Sequence, residues 1–322
     1  MPLLSRRPAR PPTPARAQGY DLAASGGRGP AGFAQEPGPV RTGSAAWRPG
    51  FFESCANPRC GTGWMKLWRS RRTPIFEGGW CCSPACARAQ VEAALGREMD
   101  ARGALPETRR HRIPLGLAML EQGWITGIQL RRALDAQKTA GAGKLGQRLV
   151  RQQAANEELV TRALGLQWSC PVLGIESHNA EAMARLLPRL FVDAFGALPL
   201  RVAAGRILYL GFEDRPDPVL ALAVERMTGL RVETGVVAGP AFRAAHRQML
   251  AARYPRAGLV EASSDTSLAH ALLKAMERTR PAEVRLARVH DCLWLRIWLR
   301  PQKGASPETD AVEDLIGSTA SG

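Results

Sequence analysis

The sequence lacks any long apolar run, and no stretch approaches the roughly 20 consecutive apolar residues that a membrane-spanning helix needs. The basic residues Arg6, Arg7 and Arg10 are followed by no apolar segment, so the start of the chain does not predict a secretory signal peptide. Aromatic residues are scarce at 6%, whereas the hydrophobic content of 45% is ordinary for a globular protein. We therefore expect a cytoplasmic protein with about two or three small domains.

Familiar catalytic motifs are also missing. There is no G-x-x-x-x-G-K-[ST] phosphate loop, and the nearest stretch, residues 141–146, has neither its glycine spacing nor the hydroxyl that would bind magnesium. The patterns G-x-S-x-G and H-E-x-x-H do not occur, and the five histidines are scattered along the chain. We therefore expect a protein that is not an enzyme.

Acidic residues are outnumbered, with 29 Asp and Glu against 44 Lys and Arg, a formal charge of +15. This charge favours acidic partners such as nucleotides, nucleic acid or an anionic membrane surface. An arginine-rich proteome would produce the same excess, so charge alone does not select among them. Residues 1–50 are basic and rich in Pro and Gly, and residues 301–322 are polar, so we expect both segments to be disordered tails.

Five of the seven cysteines lie between residues 55 and 86. Clustered cysteines without a secretion signal indicate a metal site in a reducing compartment more than a disulfide framework. A structural zinc ion takes four tetrahedral ligands, usually as two close pairs. Cys55 and Cys60 form one such pair, and Cys82 and Cys86 form the other. We therefore predict a small zinc-finger-like module in residues 51–100, with Zn²⁺ in a structural role.

The second cysteine pair stands where a helical pattern begins. The sequence from Trp80 to Cys86 resembles the element that opens the helix of a treble-clef zinc finger. Cys81 occupies the usual aromatic position of that element and is an alternative ligand to Cys82. The other interpretation is a set of buried cysteines without a metal.

Residues 101–170 contain one 24-residue pattern twice, at an offset of 30 positions, in residues 114–137 and 144–167. A fixed-offset repeat indicates one supersecondary unit used twice. We predict a short helix, a turn and a longer helix in each copy. In the first copy, Gly123 is expected to end the short helix and Thr126 to cap the next one.

The repeated pattern, [R/K]-L-G-x-x-L-L-x-x-G-x-I-x-x-x-x-L-x-x-A-L-x-x-Q, resembles the N-terminal domain (MshEN or GspE N-terminal domain) of type II secretion and type IV pilus assembly ATPases. In that family the two copies can bind cyclic di-GMP. Matched by position, the resemblance implies these ligand residues: Arg112, Leu115, Gly116, Leu120, Gly123 and Gln137 in the first copy, and Lys144, Leu145, Gly146, Leu149 and Gln167 in the second. The chain departs from the pattern at Pro114, where Arg112 is the stand-in, and at Gln153 and Ala155. We expect the changes at Gln153 and Ala155 to weaken the second turn and its apolar wall.

The rest of the chain extends this resemblance. Residues 171–254 resemble the family's companion α/β sandwich, and residues 255–300 resemble the start of the domain before the motor, without the Asp and His of its S-D-I-H segment. We therefore expect an α+β multidomain fold. The resemblance implies a non-enzymatic regulator or adaptor that binds cyclic di-GMP and works with secretion or pilus components. The alternatives are a docking scaffold without ligand and a zinc-finger protein that binds nucleic acid.

Overall fold

The computed structural model describes residues 55–61, 75–100, 112–141, 143–300 and 309–319. All of them belong to one compact unit, residues 42–322. The tail predicted for residues 1–50 lies outside the described residues. No helix in the described part of the chain is long and apolar enough to span a membrane.

The first described elements are a hairpin and a long helix: β1 (Ile75–Phe76), β2 (Gly79–Trp80) and α1 (Pro84–Asp100). The hairpin turns through Glu77 and Gly78, whose φ angles are 47° and 80°. Two positive φ values match the twist of a tight two-residue hairpin. Ser83 caps α1, because its Oγ accepts a hydrogen bond from the Cys86 amide at 3.2 Å and proline occupies the first helical position.

Four helices follow, in two pairs: α2 (Leu115–Glu121) with α3 (Gly127–Ala140), and α4 (Leu145–Arg151) with α5 (Glu157–Trp168). The first residues of α2 and α4 are 30 positions apart, and so are those of α3 and α5. Thr126 caps α3 in a capping box with Gln129, which confirms the predicted cap. Asn156, 30 positions later, caps α5 by accepting a hydrogen bond from the Leu159 amide at 2.8 Å.

A small α/β layer comes next. Its elements are α6 (Ala180–Met183), α7 (Arg189–Ala194), β3 (Ala197–Ala203), β4 (Ile207–Phe212), α8 (Pro218–Thr228), β5 (Arg231–Val236) and α9 (Gly239–Ala251). The three strands form one sheet in the order β3-β4-β5, with β3 antiparallel and β5 parallel to β4. The parallel pair is connected through α8, as such a crossover requires.

The last elements are β6 (Arg256–Ala262), α10 (Asp265–Thr279), β7 (Glu283–Val289), β8 (Cys292–Trp298) and β9 (Val312–Thr319). They join the early hairpin in a six-stranded sheet with the order β2-β1-β7-β8-β9-β6. One face of this sheet packs with α1 and α10 around Val91, Leu95 and Leu272. The other face contributes Trp294 and Ile316 to the core of the α/β layer.

This topology corrects the predicted division of the chain. Residues 51–100 and 255–300 were expected to be separate modules, but the described parts of both share one sheet and one core. Residues 301–322 were expected to be a disordered tail, but residues 312–319 form β9, paired with two neighbouring strands. Val312 and Ile316 are buried, so this strand contributes to the core despite its polar flanks.

A buried charged network holds β8 and β9 to the α/β layer. Arg296 and Asp314 are each 1% exposed and form an ion pair at 2.8 Å. Trp294 Nε1 donates to Asp314 at 2.8 Å, and Arg296 Nη1 donates to the Leu186 carbonyl at 2.8 Å. Buried charges are tolerated when their hydrogen-bonding groups are satisfied, as they are here.

Candidate metal centre and ligand cleft

Four cysteine thiols converge between the start of the described chain and the first turn of α1. The Sγ atoms of Cys55, Cys60, Cys82 and Cys86 all lie within 4.8 Å of one another. Cys60 Sγ is 3.5 Å and Cys86 Sγ 3.6 Å from Cys82 Sγ. Two thiolates bound to one tetrahedral zinc ion at about 2.3 Å lie about 3.8 Å apart, so the spacing fits such an ion.

Local backbone structure sets this spacing. Cys55 and Cys60 flank a turn in which the Cys60 amide donates to the Asn57 carbonyl at 2.9 Å. The Ala56 amide donates to the Trp80 carbonyl at 2.7 Å, which places this turn beside β2. The Cys82 amide donates to Cys55 Sγ at 3.4 Å. Backbone amides aimed at sulfur stabilise thiolate ligands.

Cys81 belongs to the core and not to the thiol cluster. Its side chain is 0% exposed and packs with Phe76 and Val91. Burial raises the pKa of the Cys81 thiol to about 12, so it remains neutral in this apolar environment. Burial also raises the pKa of Cys55, to about 11. Of the two candidate ligands in this position, the geometry favours Cys82.

Gly116 and Gly146 each face one side chain of their own helix pair and one leucine of the other pair. A Cβ at Gly116 would lie 2.5 Å from Leu130 and 3.1 Å from Leu145. In the second copy, a Cβ at Gly146 would lie 2.6 Å from Val160 and 3.6 Å from Leu115. Both glycines are buried. Their missing side chains therefore let the helices approach one another.

The turns inside the two copies also correspond. Gly123 has a φ of 68°, as predicted for a residue that ends a helix. Gln153, 30 positions later, has a φ of 55°. The glutamine therefore adopts the left-handed conformation for which its counterpart uses glycine.

A cleft of about 530 Å³ lies between the second helix pair and the α/β layer. We call it the α4–α5 cleft. Its helical side is lined by Leu115, Lys144, Leu145, Gly146, Gln147, Val150, Arg151, Glu157, Val160, Thr161 and Leu164. Its other side is lined by Glu213, Asp214, Gly239 and Arg243. Its volume is in the range of small-molecule sites, and it combines apolar walls with charged groups.

Charged pairs cross this cleft or border it. The Lys144 ammonium contacts the Asp214 carboxylate, and the Arg243 guanidinium contacts the Glu213 carboxylate. Near Asp214, two guanidinium groups lie over the ring of Trp168. The Cζ atom of Arg112 is 3.4 Å from the ring centroid, and that of Arg215 is 5.3 Å from it. Such stacking is a cation–π arrangement. The cleft lining therefore carries three cations, Lys144, Arg151 and Arg243, and three carboxylates, Glu157, Glu213 and Asp214.

The structure brings only part of the predicted ligand set into the α4–α5 cleft. Leu115, Lys144, Leu145 and Gly146 line it. Leu149 is 0% exposed in the helical core, so the expectation that it contacts a ligand does not fit its position.

The other predicted ligand residues lie elsewhere in the helix pairs. Gln137 Nε2 donates to the Gly143 carbonyl at 2.8 Å, just before the second copy. Gly123 lies in the exposed turn after α2, and Leu120, at the end of α2, is 38% exposed. Gln167 is half-buried in the last turn of α5.

Sequence reasoning missed much of the cleft. Val150, Arg151 and Leu164 lie on the faces of α4 and α5 that helical periodicity could have revealed. Glu213 and Arg243 come from the α/β layer, and no local pattern signals that they approach the repeat. A second, open depression of about 550 Å³ is lined mostly by residues of α5 and the segment after it.

Comparison with known proteins finds similar solved structures, two of which are described here. No family model matches the chain, and no curated protein matches it significantly. A structure of MshE with cdg is 23% identical, covers 43% of this chain and 99% of that chain, and has a TM-score of 0.35. The N-terminal domain of XpsE is 23% identical, covers 42% of this chain and 92% of that chain, and has a TM-score of 0.29.

Proposed function

We propose that this protein is a regulator or adaptor without enzymatic activity that binds cyclic di-GMP in the α4–α5 cleft. The observation that carries the proposal is the position of Lys144, Leu145 and Gly146. These residues begin the second copy of the repeated motif, and all three line the cleft. The motif's resemblance to the cyclic di-GMP-binding domain of the pilus and secretion ATPases gives the ligand.

The chemistry of the cleft suits a nucleotide with two phosphodiesters and two guanines. Lys144, Arg151 and Arg243 supply positive charge, and Arg side chains match phosphate and guanine edges. Leu145, Val150 and other apolar walls offer surfaces for the bases. The cleft therefore offers both cationic and apolar contacts for such a ligand.

Calorimetric titration of the full chain tests this binding. We expect saturable binding of cyclic di-GMP that GTP does not reproduce. Lys144→Ala should weaken it by about 10-fold, since a charged hydrogen bond contributes roughly 1.5 kcal/mol or more. Lys274→Ala is the matched control, because Lys274 is exposed on α10. Equal affinities for both variants would show that the ligand does not use this cleft.

A structural zinc ion is part of the same proposal. The four clustered thiols support it, since their spacing suits a tetrahedral ion and four thiolates leave no open position for catalysis. Elemental analysis should find one zinc ion per chain, lost in Cys55→Ser/Cys60→Ser and retained in Cys170→Ser. A metal-free wild type that remains stably folded would contradict the proposal.

A docking scaffold is the second candidate function, and exposed apolar side chains on the first helix pair favour it. Leu117, Leu120 and Leu134 are 51%, 38% and 37% exposed. Exposed apolar patches often mark protein interfaces. If the chain docks to a secretion or pilus component, Leu117→Asp/Leu134→Asp should abolish co-purification with that component. Undiminished co-purification would exclude this surface.

A further inference from the structure

One short loop reaches into the α4–α5 cleft from the α/β layer. We call residues 213–217, between β4 and α8, the acidic loop. Glu213 pairs with Arg243 of α9, and Asp214 pairs with Lys144, the residue that precedes α4. Two of the cations facing the cleft therefore already have an anionic partner from this chain.

The two carboxylates occupy positions that the anionic groups of a ligand would use. Lys144 comes from the repeat and Arg243 from the α/β layer, and both line the cleft. Each is neutralised by its own carboxylate. A ligand with a single negative charge could replace only one of these carboxylates and would leave the other pair intact.

These ion pairs are open enough to exchange. The side chains of Lys144 and Asp214 are 57% and 39% exposed, and those of Arg243 and Glu213 are 51% and 26% exposed. Ion pairs with this much solvent contact contribute little to stability, because water screens them. Neither carboxylate is fixed by the core, so a stronger anionic ligand can displace it.

The far end of the acidic loop is held more firmly. Asp217 caps α8, since its Oδ1 accepts hydrogen bonds from the Val219 and Leu220 amides at 3.0 and 3.1 Å. Its Oδ2 lies 2.6 Å from His290 Nε2, in the turn between β7 and β8. The loop is therefore anchored at Asp217, the end opposite to Glu213 and Asp214.

We infer that Glu213 and Asp214 act as an intramolecular substitute for the ligand, so that the α4–α5 cleft selects ligands carrying two separated negative charges. This inference rests on the binding function proposed above and adds the residues that set its affinity and selectivity. Cyclic di-GMP, with two phosphodiesters, meets the requirement. Cyclic GMP, with one, does not.

Calorimetric titrations of the full chain with both nucleotides test the inference. Glu213→Gln and Asp214→Asn remove charge and keep shape. Each should tighten cyclic di-GMP binding by about 2- to 5-fold, the range expected for loss of one exposed competing ion pair. Asp214→Asn should also strengthen binding of cyclic GMP, because one cation is then unpaired. Glu261→Gln, an exposed carboxylate on β6, is the charge-matched control and should change neither affinity.

The possible outcomes distinguish failure of this inference from failure of the proposed cyclic di-GMP binding. Tighter binding by the loop variants, with Glu261→Gln unchanged, supports the inference, including the case in which only the variants bind measurably. Saturable binding by wild type that the loop variants leave equal or weaken overturns the inference and leaves the proposed function standing. No binding by wild type or by the double variant Glu213→Gln/Asp214→Asn overturns both.

Discussion

At residue 153 the chain places glutamine in a left-handed backbone conformation, with a φ of 55°. The sequence motif has glycine at this position, and the departure was expected to weaken the second turn. The structure shows instead that the turn keeps the geometry of its counterpart at Gly123. A side chain in this conformation costs about 1 kcal/mol, because its Cβ approaches the backbone.

Gln153→Gly should therefore stabilise the protein by up to about 0.5 kcal/mol, because relief of the strain is partly offset by the freedom that glycine gains in the unfolded chain. Gln152→Gly is the control, since residue 152 has an ordinary φ of −82°. That change should lower stability by about 0.5–1 kcal/mol, because glycine gains freedom in the unfolded chain. Chemical denaturation measures both, and a loss of stability in Gln153→Gly would show that the turn is not strained.

Two glycines inside helices, Gly146 and Gly96, differ in how much space surrounds them. Gly146 faces the stiff, branched side chain of Val160, which a Cβ would meet at 2.6 Å. Gly96 in α1 has no atom within 4 Å of such a Cβ. The same substitution therefore has opposite consequences at the two sites.

Gly146→Ala should destabilise the protein by about 1–2 kcal/mol, since overpacking exceeds the gain in helix propensity. Gly96→Ala should stabilise it by about 0.5–1 kcal/mol. The midpoints of denaturant unfolding, compared with that of the wild type, measure both changes in stability. If Gly146→Ala were as stabilising as Gly96→Ala, α4 and α5 could not pack as closely as described.

At the scale of elements, β9 shows how tertiary context decides secondary structure. Its polar residues suggested a disordered tail, and the decisive partner of Asp314 lies 18 positions away at Arg296. Val312 and Ile316 alternate with more polar residues, a pattern that short strands share with many loops. Sequence periodicity alone could not identify this strand.

Asp314→Ala should destabilise the protein by about 3–5 kcal/mol, because it leaves Arg296 buried without its carboxylate. The neighbouring Glu313→Ala should change stability by less than about 0.5 kcal/mol. Replacing both charges, in Arg296→Met/Asp314→Leu, should recover much of the loss. Thermal and chemical unfolding measure these effects, and a near-neutral Asp314→Ala would show that the pair is not buried.

The hairpin before α1 depends on a strand that is distant in the sequence. β1 pairs with β7 through two backbone hydrogen bonds, from the Ile75 amide to the Ala282 carbonyl at 2.8 Å and from the Glu77 amide to the Val284 carbonyl at 3.0 Å. The thiol cluster lies immediately beside this short strand. A bound metal would therefore hold the edge of the six-stranded sheet.

Chelation of the metal should accelerate hydrogen exchange at the Ile75 and Glu77 amides. The Val237 amide, bonded to the Phe212 carbonyl at 2.8 Å in the α/β layer, is the internal reference and should change little. Mass spectrometry measures the hydrogen-exchange rates of these amides with and without chelator. Unchanged exchange at β1 would mean that no metal supports the hairpin.

At the scale of the whole molecule, the sequence predicted local features better than their assembly. The helix pairs, the Thr126 cap and the positive φ at Gly123 follow from patterns within a few residues. The assembly of residues from both ends of the chain into one sheet depends on pairing between β1 and β7, over 200 positions apart. No local signal encodes such a pairing.

The candidate sites divide in the same way. Spacing alone indicated the four cysteines that the structure brings together. For the α4–α5 cleft, the motif indicated Lys144, Leu145 and Gly146 but not Glu213 or Arg243, which fold back from the α/β layer. Leu115 was also indicated, but most of the residues that line the cleft became visible only in three dimensions.

The most direct test of the account locates the ligand on the full-length protein. A photoreactive cyclic di-GMP analogue should label peptides containing residues 144–151 or 239–247, which line the α4–α5 cleft. Excess unlabelled cyclic di-GMP should prevent the labelling, and cyclic GMP should not. Labelling confined to other peptides, such as those of α1, or labelling that unlabelled cyclic di-GMP does not reduce, would contradict the proposed binding site.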